Sequence, residues 1–342
     1  MLRSKRCGPP TDPLQCWRMS SPFTQTPNLG RNLGCSLDLD WVAQVRANTS
    51  AIERRVATLP GRRTVKKSWQ TAWLLRAIGL IDLTTLSGDD SASNVRRLCW
   101  KARSPVRGDI LRGLGFDLEL KVAAVCVYPA RVRDAVDALE GSKIPVAAVA
   151  AGFPHGLSSF SARVDEIRAA IDFGAEEIDI VIDRSLVLRG EWERLFDEVA
   201  AFREACGQAH LKTILGTGDL GTLRNVGKAS LVCMMAGADF IKTSTGKETV
   251  NATLPVGLTM VRALRDYQER TGYQVGFKPA GGIRAAKSAL EWMILMKEEL
   301  GDAWLRPDLF RIGASSLLSD IERQLEMAWT GRYSAYHRHP MP

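Results

Sequence analysis

Asp239-Phe240-Ile241-Lys242-Thr243-Ser244-Thr245-Gly246-Lys247 begins as a short apolar strand, carries a lysine at its far end and breaks into a small polar loop. A lysine in that place needs a physical reason. Strands of a parallel sheet buried on both faces read as near-continuous apolar runs, and desolvating an unpaired ammonium is costly. The loop behind it offers hydroxyls, backbone N–H groups and a second cation, a set suited to an anion at the N-terminus of a following helix. The plainer reading makes both lysines loop-edge cations that reach water along their aliphatic stems.

Working outward, apolar strands are expected at 80–83, 123–127, 146–150, 178–182, 211–215, 240–242, 275–278 and 310–312. Amphipathic segments separate them, among them 162–173, 191–206, 254–270 and 285–300. Eight strands alternating with helices at about 30-residue spacing predict parallel β/α units. The α/β fold that closes them best is a (β/α)8 TIM barrel with additional N-terminal helices; a doubly wound open sheet is the alternative. Upstream, Asp40 is expected to cap a short helix reaching Asn48. A second helix over 63–77 would pack Trp69 and Trp73, four residues apart, into the core.

At 342 residues, 45% hydrophobic and 25% charged, the chain has room for one such barrel and a large core. No apolar run approaches the length of a membrane span, so no membrane partner is expected. Seven scattered cysteines without a C-x-x-C pair argue for free thiols in a reducing compartment, hence a cytoplasmic location, and against a zinc site.

Half of the net charge of +8 sits in residues 1–36, where Arg3, Lys5, Arg6, Arg18 and Arg31 face a single Asp12. That stretch, rich in Pro, Gly, Ser and Asn, reads as a disordered basic extension, with residues 37–342 forming one barrel domain and a short C-terminal tail. Its arginines also fit a weak transit peptide, although Gly8-Pro9-Pro10 and Pro13 interrupt any amphipathic helix. No basic-aromatic array of the kind that binds RNA is present, so nucleic acid is not an expected partner. The rest of the chain is mildly basic, which suits a small anionic substrate.

Six charges fall within or at the ends of the strands: Asp82, Asp179, Lys212, Lys242, Lys278 and Arg311. Each must find a partner or water, so together they imply a shared polar centre. Lys242 and Lys278 lie one β/α unit apart and so end neighbouring strands. Two ammonium groups about 6 Å apart repel by roughly 2.8 kcal/mol at an effective dielectric near 20, about two pKa units. Partial desolvation adds to that. One lysine then becomes a neutral amine able to attack a carbonyl. Its neighbour stays charged and moves protons, with Asp179 to orient it or accept from it. The competing reading is a structural Lys–Asp network.

Three glycine-bearing loops follow the last three strands: 244–247, 279–284 and 313–316. Together they mark a phosphate site, because glycines let backbone amides approach an anion closely. Gly216-Thr217-Gly218-Asp219-Leu220-Gly221 mimics a dinucleotide fingerprint, but it follows the fifth strand and lacks an acid at the end of the next one. His155 is as well read as a loop residue as a substrate contact, and Cys126 reads as core.

These residues resemble the deoxyribose-phosphate aldolases. The likeness rests on Phe240–Lys247, Gly276–Arg284, Gly313–Leu318, Ile81–Leu86, Ala124–Pro129 and Glu177–Val181, runs from about residue 37 to the C-terminus, and is closest to the animal branch. It implies a class I aldolase, without cofactor or metal, that cleaves 2-deoxy-D-ribose 5-phosphate. On that resemblance Lys242 would form the Schiff base, Lys278 would lower its pKa and Asp179 would relay protons. Thr243, Gly246, Lys247, Gly281, Gly282, Gly313, Ser315 and Ser316 would hold substrate or its phosphate, and Lys212 would position the network or the sugar hydroxyls. Asp219 departs from the expected glutamate, and either Tyr333 or Tyr336 in the C-terminal tail answers to a tyrosine that assists proton transfer in some members. The sequence leaves the oligomeric state open and is compatible with a homo-oligomer.

Overall fold

A computed structural model describes residues 31–63 and 65–339. Eight parallel strands run in the order in which they occur: β1 (Ile81–Thr84), β2 (Ala124–Val127), β3 (Val146–Ala150), β4 (Glu177–Val181), β5 (His210–Ile214), β6 (Phe240–Lys242), β7 (Gly276–Lys278) and β8 (Ile312–Ala314). From β1 to β7 each pairs with the next, and β8 pairs with β1. Isolated bridges from Phe277 to Phe310 and from Ala280 to Gly313 bring β7 to the β8 edge, so the sheet closes. The open-sheet alternative is thereby set aside.

The strands alternate between two environments because successive side chains point to opposite faces. Val125, Val127, Ala148, Ala150, Ile178, Ile180, Leu211, Ile241 and Phe277 join the main apolar core under the helical layer. Cys126, Ala147 and Val149 form a separate small cluster with Leu86, Tyr128 and Phe153, on the opposite face of β2 and β3. Charged residues occupy the corresponding positions on β1, β4, β5, β6 and β7, and Arg311 directly precedes β8.

Four expectations shift. Residues 31–36, assigned from composition to the extension, are packed: the Asn32 side chain donates to the Met234 and Ala238 carbonyls at 2.8 Å each, and Cys35 N donates to Met235 O. They bond carbonyls at and just beyond the end of the helix Leu223–Met235. The remainder of the expected extension lies outside the described residues. Asp38, not Asp40, caps the first helix, Leu39–Gln44, by accepting from Trp41 N. The helix expected over 63–77 runs from Lys67 to Ile78, and a further helix that the sequence reading did not anticipate, Thr49–Arg62, precedes it. Trp73 packs against the core, but Trp69 is 46% exposed. Among the described residues, no helix is long and apolar enough to cross a membrane.

Candidate active site

The six strand charges and one more, Glu177, are all buried and joined in one network. Register explains the assembly. Asp179 lies beside Lys212 across β4 and β5, and Lys242 lies beside Lys278 across β6 and β7. Lys242 Nζ and Lys278 Nζ each donate to Asp179 Oδ2 at 2.7 Å. Lys212 Nζ donates to Asp179 Oδ1 at 2.9 Å and to Glu177 Oε2 at 2.5 Å. Lys278 also stands 2.5 Å from Asp82 Oδ2, and Arg311 closes the ring with bonds to Asp82 Oδ1 (2.6 Å) and Glu177 Oε1 (2.8 Å).

Small residues make the room this network needs. A β-carbon on Gly313 would stand 3.2 Å from Lys278 Cε, and one on Gly276 would strike the Phe240 ring, over which Arg311 lies at 5.9 Å.

Charge counting singles out one member. Asp82, Glu177 and Asp179 are three carboxylates, and burial alone would raise each. The surrounding cations overcome that, hold all three below their usual range and keep them ionised. Lys212, Lys278 and Arg311 balance them: burial disfavours their charge, but the adjacent carboxylates prevail and raise all three. Lys242 is the surplus cation. Burial lowers its pKa and the Lys278 ammonium lowers it further, against the pull of Asp179. Desolvation, not repulsion between the lysines, is thus the leading cause, which reverses the weighting drawn from the sequence. The result is an amine less basic than an ordinary lysine beside an ammonium held charged.

Lys242 also lines a cleft of about 250 Å³ at the carboxyl ends of the strands. Gly246, Lys247, Gly281, Gly282, Gly313 and Ser315 line it too, as does Arg284, which the sequence reading left unassigned. Gly281 and Gly282 have φ of +88° and +80°, a conformation that favours glycine.

The other expected contacts lie elsewhere. Thr243 is fully buried and staples two loops, donating to Ala280 O and accepting from Ala280 N. Lys212 is fully buried within the network and does not line the cleft. Ser316 stands at the N-terminus of the helix Leu317–Thr330, without a side-chain capping bond, and is not among the lining residues. The amide of Gly246 already donates to Glu248 Oε2 at 3.1 Å. Tyr333 is exposed in a separate surface groove beside Trp329, and the side chain of Tyr336 lies outside the described residues. The dinucleotide-like loop forms a short turn, Thr217–Asp219, in which Gly218 packs on the Val250 backbone. Among the described residues, no group of three or more His, Cys, Asp or Glu is arranged to hold a metal.

Comparison with known proteins gives a consistent result. Residues 76–322 match the model of the DeoC/LacD family of aldolases. Human deoxyribose-phosphate aldolase is 62% identical over 313 residues, covering 91% of this chain and 98% of the human one. The mouse protein of the same name is 63% identical over 311 residues, covering 90% and 98%. Among solved structures, a tetrameric deoxyribose phosphate aldolase from Aeropyrum pernix shares the fold with a TM-score of 0.57 and 21% identity, over 82% of this chain and 99% of that one.

Proposed function

The chain belongs to the DeoC/LacD family of aldolases, and from that premise we propose that it cleaves 2-deoxy-D-ribose 5-phosphate reversibly into D-glyceraldehyde 3-phosphate and acetaldehyde through a Schiff base on Lys242. The observation that carries this is the surplus amine: Lys242 alone among the four cations of the network has its pKa lowered, and it opens on the cleft.

The neutral amine of Lys242 attacks the C1 aldehyde, and loss of water leaves a protonated imine. That imine is an electron sink. A base removes the C3 hydroxyl proton, the C2–C3 bond breaks toward the imine, and glyceraldehyde 3-phosphate leaves. The enamine is then protonated at C2, and hydrolysis releases acetaldehyde and the free amine. Asp179, within 2.7 Å of both lysine nitrogens, passes protons between Lys278 and the reacting amine. Once Lys242 becomes an iminium, the buried Asp179 carboxylate also balances its charge. Lys247, Arg284 and the backbone of Gly281 and Gly282 take the phosphate, with Ser315 at the cleft wall.

Lys212 acts in this scheme as a positioning residue, fixing Asp179 from below. A cytoplasmic location belongs to the same proposal and accords with five free cysteines among the described residues.

Borohydride reduction in the presence of acetaldehyde, followed by peptide mass mapping, tests the reading. An adduct confined to Lys242, and absent from Lys242→Ala, is expected. Cleavage of the sugar phosphate without any trapped lysine would rule the mechanism out.

A further inference from the structure

Glu248 does something the catalytic scheme does not use. Its carboxylate turns back on its own loop and accepts from Thr245 N (3.0 Å), Thr245 Oγ1 (2.8 Å) and Gly246 N (3.1 Å). The carboxylate side chain is 3% exposed, so it needs a countercharge. Arg184, at the start of the helix after β4, supplies one with Nη1 3.8 Å from Glu248 Oε1. The same guanidinium pairs with Asp219 through Nε at 3.2 Å, donates to Pro154 O at 3.3 Å and stands 3.5 Å from His155 Nδ1. One side chain therefore ties together the loops after β3, β4, β5 and β6. Gly216 admits it, because a β-carbon there would lie 2.5 Å from Arg184 Cδ.

We propose that Arg184 and Glu248 are a positioning pair that sets where the phosphate end of the substrate is held, acting through the Thr245–Lys247 turn without touching substrate. The inference rests on the aldolase reading above. Two consequences follow from the geometry. The amides of Thr245 and Gly246 are filled by an internal carboxylate, whose charge repels a phosphate. The anion is thereby directed to the Gly281–Gly282 side of the cleft. The pinned turn also fixes Lys247, whose N–H donates to Thr245 Oγ1 at 3.1 Å and whose ammonium reaches Leu86 O at 3.0 Å, on the loop after β1. Asn251 holds the other end of the segment: it donates to Glu248 O at 2.9 Å and packs where a side chain on Gly281 would go.

The test uses the full chain and its Glu248→Ala, Glu248→Gln and Arg184→Met variants. KM and kcat for 2-deoxy-D-ribose 5-phosphate are measured alongside borohydride trapping of acetaldehyde, which carries no phosphate. The expected result in Glu248→Ala and Arg184→Met is a KM raised about tenfold or more, the scale of a lost charge-assisted contact. The kcat should change little and Lys242 should still be trapped. Glu248→Gln, which keeps one acceptor, should fall between. An unchanged or lowered KM overturns the proposal, and so does loss of trapping alongside a raised KM, since that would mean Glu248 supports the fold or the amine and not the phosphate end. Failure of the aldolase reading would look different: the unaltered protein would neither cleave the sugar phosphate nor trap acetaldehyde.

Discussion

Lys242 and Lys278 donate to the same oxygen, Oδ2 of Asp179, at the same 2.7 Å, yet their basicities move in opposite directions. The asymmetry comes from second partners. Lys278 has Asp82 as well as Asp179, whereas Lys242 has Asp179 as its one carboxylate partner among the described residues. Burial therefore wins at Lys242 and loses at Lys278.

Lys278→Leu removes one cation from a balanced set. Lys242 must then supply the third positive charge opposite Asp82, Glu177 and Asp179, and its amine becomes protonated. The expected outcome is a fall in kcat/KM of about 10²-fold or more, with acetaldehyde trapping weak at neutral pH and recovering as pH rises. Trapping that stays as strong at pH 7 as in the unaltered protein would contradict the coupling.

Asp179→Asn separates amine chemistry from proton transfer. Loss of the carboxylate removes the group that raises Lys242, so its pKa falls further. Trapping should persist at neutral pH while kcat drops by about 10²- to 10⁴-fold, the usual worth of a general acid–base group. Stability should fall as well, since Lys212 and Lys278 lose a shared buried counterion. Parallel trapping and turnover assays on the folded variant check this.

Gly281 and Gly282 share a left-handed backbone but differ in surroundings. A β-carbon on Gly281 would meet Asn251 Oδ1 at 2.5 Å, while one on Gly282 would meet nothing within 4 Å. Gly282→Ala should cost about 1–2 kcal/mol of backbone strain. Gly281→Ala should cost more and should displace Asn251, raising KM for the sugar phosphate above that of Gly282→Ala. Equal effects in denaturation and in KM would show that Asn251 does not brace the two loops.

Much of this was legible in the sequence because buried parallel strands leave little room for polar residues. All eight strands stood out as apolar runs, and six charges within them marked the site. β8 moved, since the apolar run Phe310–Ile312 only leads into a ladder built on Ile312, Gly313 and Ala314, two of them too small to signal a strand. Glu177 was passed over because it is the first residue of β4 and follows Glu176, so the pair reads as the end of a loop. Glu248 did carry a signal, a Thr followed three residues later by Glu, the pattern of a side chain returning to its own turn. Its partner Arg184 did not, because only closure of the barrel brings the β4 and β6 loops together. Phosphate contacts were the least legible: a glycine or serine after a strand looks the same whether it faces the cleft, as Ser315 does, or only begins the next helix, as Ser316 does.

The most direct test of the central claim is the pH dependence of acetaldehyde trapping at Lys242 itself, read by mass mapping of the labelled peptide. The reactive species is the neutral amine, so labelling rises with pH and its half-point reports the pKa. A half-point clearly below the ordinary lysine value of 10.5 is predicted, with Lys212 and Lys278 unlabelled throughout. A half-point at or above 10.5, or an adduct on either of the other two lysines, would contradict the account.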